Sequence, residues 1–323
     1  WQAIDQITSN YYEAVVTSIN AGVDLNMVPF DTTGFINAMN RAVRSGDISE
    51  DRVDDAVRRI LTVKMQLGLF ERPLQDPSLL AQVGSDEHRA LARQAVAESM
   101  VLLQNENNAL PVSKEVGRIF IGGQFGDDIG LQSGGWTIEW QGASGEITEG
   151  TTFLEATETA VSANSEVYFD RFGRFDDLFD DGGDLMRADV GFVLLGERPY
   201  AEGRGDRADL SINATMIERM RERVDVLVVV LVTGRPLIIT DALPLADAWV
   251  VAWWPGTEGA GMTDVLFGDQ DFSGKLPFSW PRSNEQLPFD FENMPLEGCA
   301  APLFPFGYGL TYEDGSLVAV GDC

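Results

Sequence analysis

Basic residues are scarce in this chain, and histidine is almost absent. Of its 323 residues, 23 are Lys or Arg and 51 are Asp or Glu, which gives a formal net charge of −28. A surface this acidic repels phosphate backbones, which argues against a nucleic-acid partner. The one histidine, His88, makes a poor metal site by itself, and we expect it at the start of a helix.

Long apolar runs are also missing, so we expect no membrane partner. No run approaches the ~20 apolar residues that cross a bilayer. The longest, residues 224–232, is short and β-branched, which is typical of a buried strand. Cys299 and Cys323 permit one disulfide, either with each other or with a residue outside this chain. We expect a secreted or periplasmic protein.

The first part of the chain, residues 1–72, has the pattern of a β/α barrel. Residues 22–29 alternate apolar and polar positions as a strand does, and helices are predicted after Thr33 and from Ser49 to Gly68. This order fits the last units of a (β/α)8 TIM-type barrel, of which about a quarter is present. Because the chain begins abruptly at Trp1, we interpret it as part of a longer protein.

A second domain is expected after a linker. Residues 73–88 lose periodicity and contain prolines, which predicts the linker, and a helix is predicted at 89–104. The sequence predicts strands at 117–122, 189–195, 224–232 and 248–253, with helices between them at 152–161 and 214–223. This alternation predicts an α/β sandwich over residues 89–312 with a mostly parallel sheet. Residues 313–323 would be a tail or the start of a further domain.

The segment 189–209 (DVGFVLLGERPYAEGRGDRAD) holds the main candidates for chemistry. An apolar strand runs into a polar loop that carries Glu197 and Glu202 among several arginines. In such sheets, ligands gather at the carboxyl ends of the strands. A carboxyl on this loop could project into a cleft, where partial burial would favour its protonated form. The alternative interpretation is a solvated loop held by Arg–carboxylate pairs.

A second candidate segment is SGGWTIEWQG, at residues 133–142. Trp136 and Trp140 in this glycine-rich loop would offer flat apolar faces that suit the C–H faces of a pyranose. Tryptophans usually pack in cores, so a core position is the alternative. We assign Trp249, Trp253 and Trp254 to the core, because they lie in or beside an apolar strand.

The order of motifs along almost the whole chain resembles glycoside hydrolase family 3, particularly its exo-acting β-glucosidases and β-glucan glucohydrolases. The matching segments are WQAID, AGVDLNMVP, RILTVKMQLGLFE, EHRALARQAVAESMVLLQNENNALPV, GGWTIEWQG, GERPYAEGRGD, TGRPL, WWPGTEGAGMTDVLFGD, GKLPFSWP and PLFPFGYGLTY. Each motif alone is a weak signal, but ten of them in register are a strong one.

The resemblance implies two catalytic carboxylates from different domains. The general acid/base matches Glu202, whereas Glu197 matches a glutamate with a structural hydrogen-bonding role. The nucleophile matches an Asp that would stand directly before Trp1. Family members retain the configuration of the sugar, and retaining enzymes hold their two carboxyl groups ~5–5.5 Å apart.

The resemblance also implies the substrate and how it is bound. Exo-acting hydrolysis of β-1,3- and β-1,4-linked glucans or gluco-oligosaccharides would release glucose without a metal or organic cofactor. Trp1 and Trp140 match a pair that sandwiches the second sugar, with Trp136 beside them. Where relatives have Arg, this chain has Gln6, which removes one expected contact. The implied partners are the β-glucan substrate and the remainder of the polypeptide, with the barrel and the nucleophile.

Other interpretations remain open at this point. The chain could be an inactive carbohydrate-binding or scaffolding module of the same fold, or it could have β-xylosidase specificity. A nucleotide-binding oxidoreductase is disfavoured, because GGQFGDDIG lacks the G-x-G-x-x-G spacing. The acidic stretch at 175–184 does not have the spacing of a calcium loop either.

Overall fold

The computed structural model describes residues 8–314. The chain forms two compact units that divide between Val83 and Gly84. Trp1 and Gln6 lie outside the described residues, as do Cys323 and most of the predicted tail. Cys299 is disulfide-bonded.

The first unit is helical in its described part. It contains α1 (Tyr11–Asn20), α2 (Thr32–Ser45), α3 (Glu50–Gln66) and a 3₁₀ turn (Pro77–Gln82). A small core unites α1 with α2 and the turn after it, through Val15, Ile19, Ala42 and Ile48. α3 begins as predicted, since the Ser49 hydroxyl accepts the Arg52 N–H at 3.1 Å. α2 begins with Asp31 as its cap rather than Thr33.

The predicted strand at residues 22–29 is wrong. These residues form turns and irregular backbone, and Leu25 and Met27 are 79% and 86% exposed. A strand needs a neighbour to pair its backbone groups. The described residues of the first unit contain no strand that could serve as this neighbour.

The second unit contains a six-stranded sheet in the order β1-β6-β5-β4-β2-β3. The strands are β1 (Val101–Asn105), β2 (Arg118–Gly122), β3 (Glu166–Asp170), β4 (Ala188–Gly196), β5 (Val224–Val232) and β6 (Ala248–Trp253). β1 pairs antiparallel with β6, and all the other pairs are parallel. The prediction of a mostly parallel sheet is therefore confirmed.

Helices cover both faces of this sheet. The helices are α4 (Asp86–Ser99), α5 (Ile129–Ser133), α6 (Phe153–Ala160), α7 (Thr215–Arg221) and α8 (Gly259–Leu266). Successive residues of β5 alternate between two cores, so that Val230 packs with α4, α6 and α8, whereas Val229 packs with α7. A strand buried on both faces has a continuous apolar sequence, which explains why β5 was predictable.

Several elements of the second unit differ from the prediction, including β1, most of whose residues were predicted to be helical. The helix predicted at 89–104 runs over Asp86–Ser99, because Met100 is already extended and starts the turn into β1. It therefore begins inside the predicted linker, and His88 lies in its first turn, with its N–H on Ser85 Oγ. β3 was not predicted, since it is an edge strand with partly exposed side chains. None of the helices in residues 8–314 is both long and apolar enough to span a membrane.

Candidate active site

The carboxyl ends of three neighbouring parallel strands meet at one edge of the sheet. Gly196 ends β4 opposite Val232, which ends β5, and Trp253 ends β6. A Cβ at position 196 would collide with the Val232 carbonyl oxygen, so the end of β4 requires glycine where it pairs with β5. Two loops at this edge carry the candidate residues: the glutamate loop (residues 197–209) and the tryptophan loop (residues 133–142).

Glu197 opens the glutamate loop, and its side chain is only 4% exposed. Arg235, just after β5, donates from Nη2 to Oε1 of Glu197 at 2.8 Å, and the Thr233 hydroxyl donates to Oε2 at 2.8 Å. A second guanidinium, that of Arg207, lies 3.1 Å from Oε1. Two cations and a hydroxyl fix the orientation of this buried carboxylate, which agrees with the structural role expected for Glu197.

Tyr200 continues this network toward the middle of the loop. Its hydroxyl donates to Oε2 of Glu197 at 3.4 Å, and the Arg235 guanidinium lies 4.8 Å from its ring centroid. The ring meets Trp254 edge-on at 5.0 Å. Burial, and then the negative charge of Glu197, raise the pKa of Tyr200. The tyrosine therefore stays a neutral hydrogen-bond donor and anchors the loop.

Glu202 begins a short 3₁₀ turn (Glu202–Gly205). Its backbone is left-handed, with φ at 49°, and its side chain is exposed. The partial burial expected for this carboxyl is therefore not provided by residues 8–314. The preceding residue, Ala201, is buried, so the loop is anchored up to the peptide that leads into Glu202.

The tryptophan loop presents its indoles to the outside rather than to a core. Trp136 and Trp140 are 69% and 53% exposed, with ring centroids 6.3 Å apart and planes inclined by 52°. The backbone N–H of Trp136 donates to the backbone carbonyl of Trp140 at 3.0 Å and closes the loop. Both Trp136 and Ile138 have left-handed backbones, with φ at 63° and 60°.

The two loops contact each other closely. Gln141 accepts the N–H of Ala201 on its Oε1 at 3.0 Å. A Cβ at Gly135 would collide with the carbonyl oxygen of Tyr200, and one at Gly142 would collide with Pro199. The structure thus brings the loop of Trp136 and Trp140 against the loop of Glu202.

Unusual backbone conformations concentrate at this edge. Within residues 8–314, six residues other than glycine have positive φ, and two of them are Asn107 and Asn108. The other four are Trp136, Ile138, Glu202 and Trp253. Asparagine tolerates this conformation, but a bulky side chain in it is strained by about 1–3 kcal/mol. Such strain is typical of functional sites, where the surroundings hold the residue in place.

Sequence reasoning missed several residues of this edge. Trp249 is buried as expected, but Trp253 and Trp254 are only half-buried, and Trp254 packs on Tyr200 of the glutamate loop. Arg235 and Gln141 were not singled out either. Arg235 could have been noticed, because it follows a buried strand directly, where ligand-binding loops begin.

This arrangement combines a titratable carboxyl with apolar ring faces. A carboxyl can give or take a proton from a bound molecule, and exposed indoles can hold a ligand with apolar faces. Within residues 8–314, His, Cys, Asp and Glu side chains do not group in threes or more in a way that could hold a metal ion.

Comparison with family models decides the assignment. Residues 100–312 match the glycosyl hydrolase family 3 C-terminal domain, and residues 2–63 match the family 3 N-terminal domain. The chain belongs to glycosyl hydrolase family 3. In this family 3 chain, the sheet, both loops and Glu202 lie within the region that matches the C-terminal domain.

Relatives of this family 3 chain include a lysosomal beta glucosidase of Dictyostelium discoideum, 32% identical over 97% of the chain and 41% of that protein. A periplasmic beta-glucosidase of Salmonella typhimurium is 29% identical over 93% of the chain and 45% of that protein. The chain thus spans less than half the length of these relatives.

Solved structures show the same fold. An exo-1,3/1,4-beta-glucanase from a Pseudoalteromonas species superposes with a TM-score of 0.83 at 33% identity, over 95% of this chain and 39% of that one. A beta-glucosidase from Listeria innocua superposes with a TM-score of 0.80 at 28% identity, over 97% of this chain and 46% of that one.

Proposed function

We propose that the complete protein is a retaining, exo-acting β-glucosidase in which Glu202 is the general acid/base. The observation that carries the proposal is the contact between the glutamate and tryptophan loops at 3.0 Å, through Ala201 and Gln141. Because the two loops touch, the exposed Glu202 carboxyl and the two exposed indoles are carried by neighbouring loops, at the edge of the sheet where the parallel strands end. The relatives named β-glucosidase support the same chemistry.

The reaction needs two carboxyl groups. Protonated Glu202 gives its proton to the glycosidic oxygen, while an Asp directly before Trp1 attacks the anomeric carbon and forms a covalent glycosyl-enzyme. Glu202, now a carboxylate, takes a proton from water, and this water releases the sugar with its original configuration.

The tryptophans would supply the sugar-binding surface. Trp140 and Trp136 present indole faces, and Trp1 would complete the clamp around the second sugar. Aromatic faces grip the C–H faces of a pyranose rather than one linkage, so we expect both β-1,3- and β-1,4-linked gluco-oligosaccharides to be cleaved. The likeness to an exo-1,3/1,4-beta-glucanase favours this range.

A β-xylosidase specificity is a second candidate. A beta-xylosidase of Formosa agariphila is 27% identical over 95% of this chain. Comparing glucoside and xyloside hydrolysis by the full-length protein separates the two specificities.

The partner of this chain would be the remainder of its own polypeptide. α3 carries exposed apolar side chains at Val57, Leu61 and Met65. Apolar patches of this kind mark surfaces that another part of a protein covers. We propose that residues 1–72 complete a (β/α)8 barrel with the missing part, that residues 73–88 link it to the sandwich at 89–312, and that the protein is secreted or periplasmic.

The proposal is tested with leaving groups in the full-length protein. Removing a general acid costs about 10²–10⁴-fold in rate when the leaving group needs a proton. Glu202→Gln should therefore lose hydrolysis of cellobiose and laminaribiose by this factor but keep most of the glycosylation step with 2,4-dinitrophenyl β-glucoside. Asp206→Asn, at an exposed carboxyl of the same loop, is the matched control and should leave both substrates unaffected.

Azide provides a second readout. With Glu202→Ala, azide needs no general base, so it should restore turnover of the activated glucoside and yield β-glucosyl azide. A Glu202→Gln variant with full activity on cellobiose would contradict the assignment. Carbohydrate binding without turnover in the full-length protein would favour the non-catalytic module instead.

A further inference from the structure

We propose that Gln141 is a positioning residue for Glu202 and that it links the indole of Trp140 to the proton donor. The inference rests on the proposed function of Glu202 and goes one step beyond it. It assigns a role in proton transfer to an amide that belongs to the other loop.

The hydrogen bond has a fixed direction. Ala201 can only donate from its backbone N–H, so the amide oxygen of Gln141 must be the acceptor, at 3.0 Å. Ala201 is buried, with 4% of its surface exposed. The bond therefore holds the peptide group that precedes the Ala201–Glu202 step, and it does so in a place with little access to water.

Glu202 needs such support because of its own backbone. A non-glycine residue at φ 49° is strained and stays there only when its surroundings fix it. Tyr200 is fixed through Glu197 and Trp254, and Gln141 fixes the next peptide. Without the amide acceptor, the peptide at Ala201 is free to rotate, and Glu202 can relax toward the extended region. The Glu202 carboxyl would then move out of reach of the glycosidic oxygen that it protonates.

The position of Gln141 gives it a second consequence. It follows Trp140 directly, and the loop is closed by the bond from the Trp136 N–H to the Trp140 carbonyl. Gly135 and Gly142 press the same loop against Tyr200 and Pro199. A sugar that packs on Trp140 therefore contacts the residue directly before Gln141. Gln141 in turn holds the peptide group that precedes Glu202.

The test uses the full-length protein and compares poor with good leaving groups. Gln141→Leu keeps the approximate size of the side chain but removes the acceptor. We expect kcat/KM for cellobiose to fall about 10- to 100-fold, since a misplacement of about 1 Å costs this much. For 2,4-dinitrophenyl β-glucoside, which leaves without a proton, we expect a fall of less than about 3-fold.

Gln141→Glu is the matched variant, because it keeps an oxygen acceptor in place. Its ratio of the two kcat/KM values should stay within about 3-fold of the wild-type ratio. If Gln141→Leu does not fold, Gln141→Asn, whose shorter side chain cannot reach Ala201, takes its place.

Equal losses on both substrates, or no loss on either, would overturn the inference, because a merely structural residue would not discriminate between leaving groups. The same holds if Gln141→Glu behaves like Gln141→Leu. Glu202→Gln is measured alongside. If Glu202→Gln shows no dependence on the leaving group, the proposed function itself fails; if it shows this dependence and Gln141→Leu does not, only the role of Gln141 fails.

Discussion

Arg235 holds the carboxylate of Glu197 with two of its nitrogen atoms. Nη2 lies 2.8 Å from Oε1, while Nε lies 3.1 Å from Oε1 and 3.2 Å from Oε2. This ion pair joins the end of β4 to the loop after β5. The two strands are neighbours in the sheet, and Gly196 pairs with Val232 at their ends. The orientation of the glutamate loop therefore depends on a buried ion pair rather than on the loop sequence alone.

Removing the Glu197 charge should destabilise the protein. Breaking a buried ion pair on one side costs about 3–5 kcal/mol, because the remaining charge loses its partner. Since Arg235 is partly exposed, we expect Glu197→Leu to lower the free energy of unfolding by about 3 kcal/mol, measured by urea denaturation. Glu166→Gln is the control; it breaks the exposed pair with Arg118 and should cost at most about 1 kcal/mol. Equal effects of the two changes would refute a structural role for the Glu197 charge.

Gly135→Ala should separate the tryptophan loop from the glutamate loop. The new Cβ collides with the Tyr200 carbonyl oxygen, and overpacking of this kind costs about 1–3 kcal/mol. We expect a lower melting temperature and weaker binding of gluco-oligosaccharides, measured by calorimetry. Gly203→Ala has nothing within 4 Å of its new Cβ and should change the unfolding free energy by less than about 0.5 kcal/mol. Unchanged sugar affinity in Gly135→Ala would count against the loop contact.

The core around Phe192 should dominate the stability of the second unit. Phe192 is fully buried on β4, and its ring lies 5.4 Å from Phe153 and 5.8 Å from Phe267. Phe192→Ala should cost about 3–5 kcal/mol, seen as a shift of the denaturation midpoint. Phe291, which is 74% exposed, provides the control, and Phe291→Ala should cost under about 1 kcal/mol. A small effect at Phe192 would mean that this site collapses without leaving a cavity.

Stability should fall at alkaline pH through partly buried tyrosines. Burial raises the pKa of Tyr308 and Tyr312 as well as that of Tyr200. The unfolded chain ionises near pH ~10, so the folded state binds more protons above this value, and its stability decreases as the pH rises further. Denaturation between pH 8 and about 11, with tyrosinate absorbance as the second signal, checks this. Tyr312→Phe should have a flatter alkaline limb; an identical limb would contradict the assignment for Tyr312.

The chain alone should not hydrolyse glucosides. The proposed mechanism takes its nucleophile from a residue before Trp1, and one carboxyl cannot perform both halves of a double displacement. We expect no turnover of 2,4-dinitrophenyl β-glucoside by residues 1–323, compared with full activity of the complete polypeptide in the same assay. Turnover by the chain alone would move the nucleophile to a residue within it.

The parts of the fold that could be predicted share one property. Their burial can be recognised from the pattern of apolar residues in the segment itself. β5 and β6 are continuous apolar runs, and their predicted bounds agree with the structure. Residues 22–29 have an equally regular pattern, but a strand also needs a partner, which a local pattern does not reveal. β3 was missed because an edge strand carries a weaker apolar signal.

The candidate site was only partly predictable for a related reason. Glu202 and the two exposed indoles were found from their motifs, and their roles stay predictions. Tyr200, Arg235 and Gln141 act through contacts between segments far apart in the chain, with Trp254, Glu197 and Ala201 respectively. No local pattern encodes such contacts, because a single glutamine in a loop has no preferred partner until the loops are folded together.

The left-handed backbone at Ile138 has a practical consequence for engineering the tryptophan loop. A β-branched side chain in this conformation carries strain that glycine or asparagine would relieve, and the position is exposed at the tip of its loop. Replacement of Ile138 by glycine or asparagine should therefore stabilise the protein. Gly134, Gly135 and Gly142 leave no such freedom, since any side chain there meets neighbouring atoms. Libraries that diversify residue 138 and leave the three glycines untouched keep the loop folded while they change what it touches.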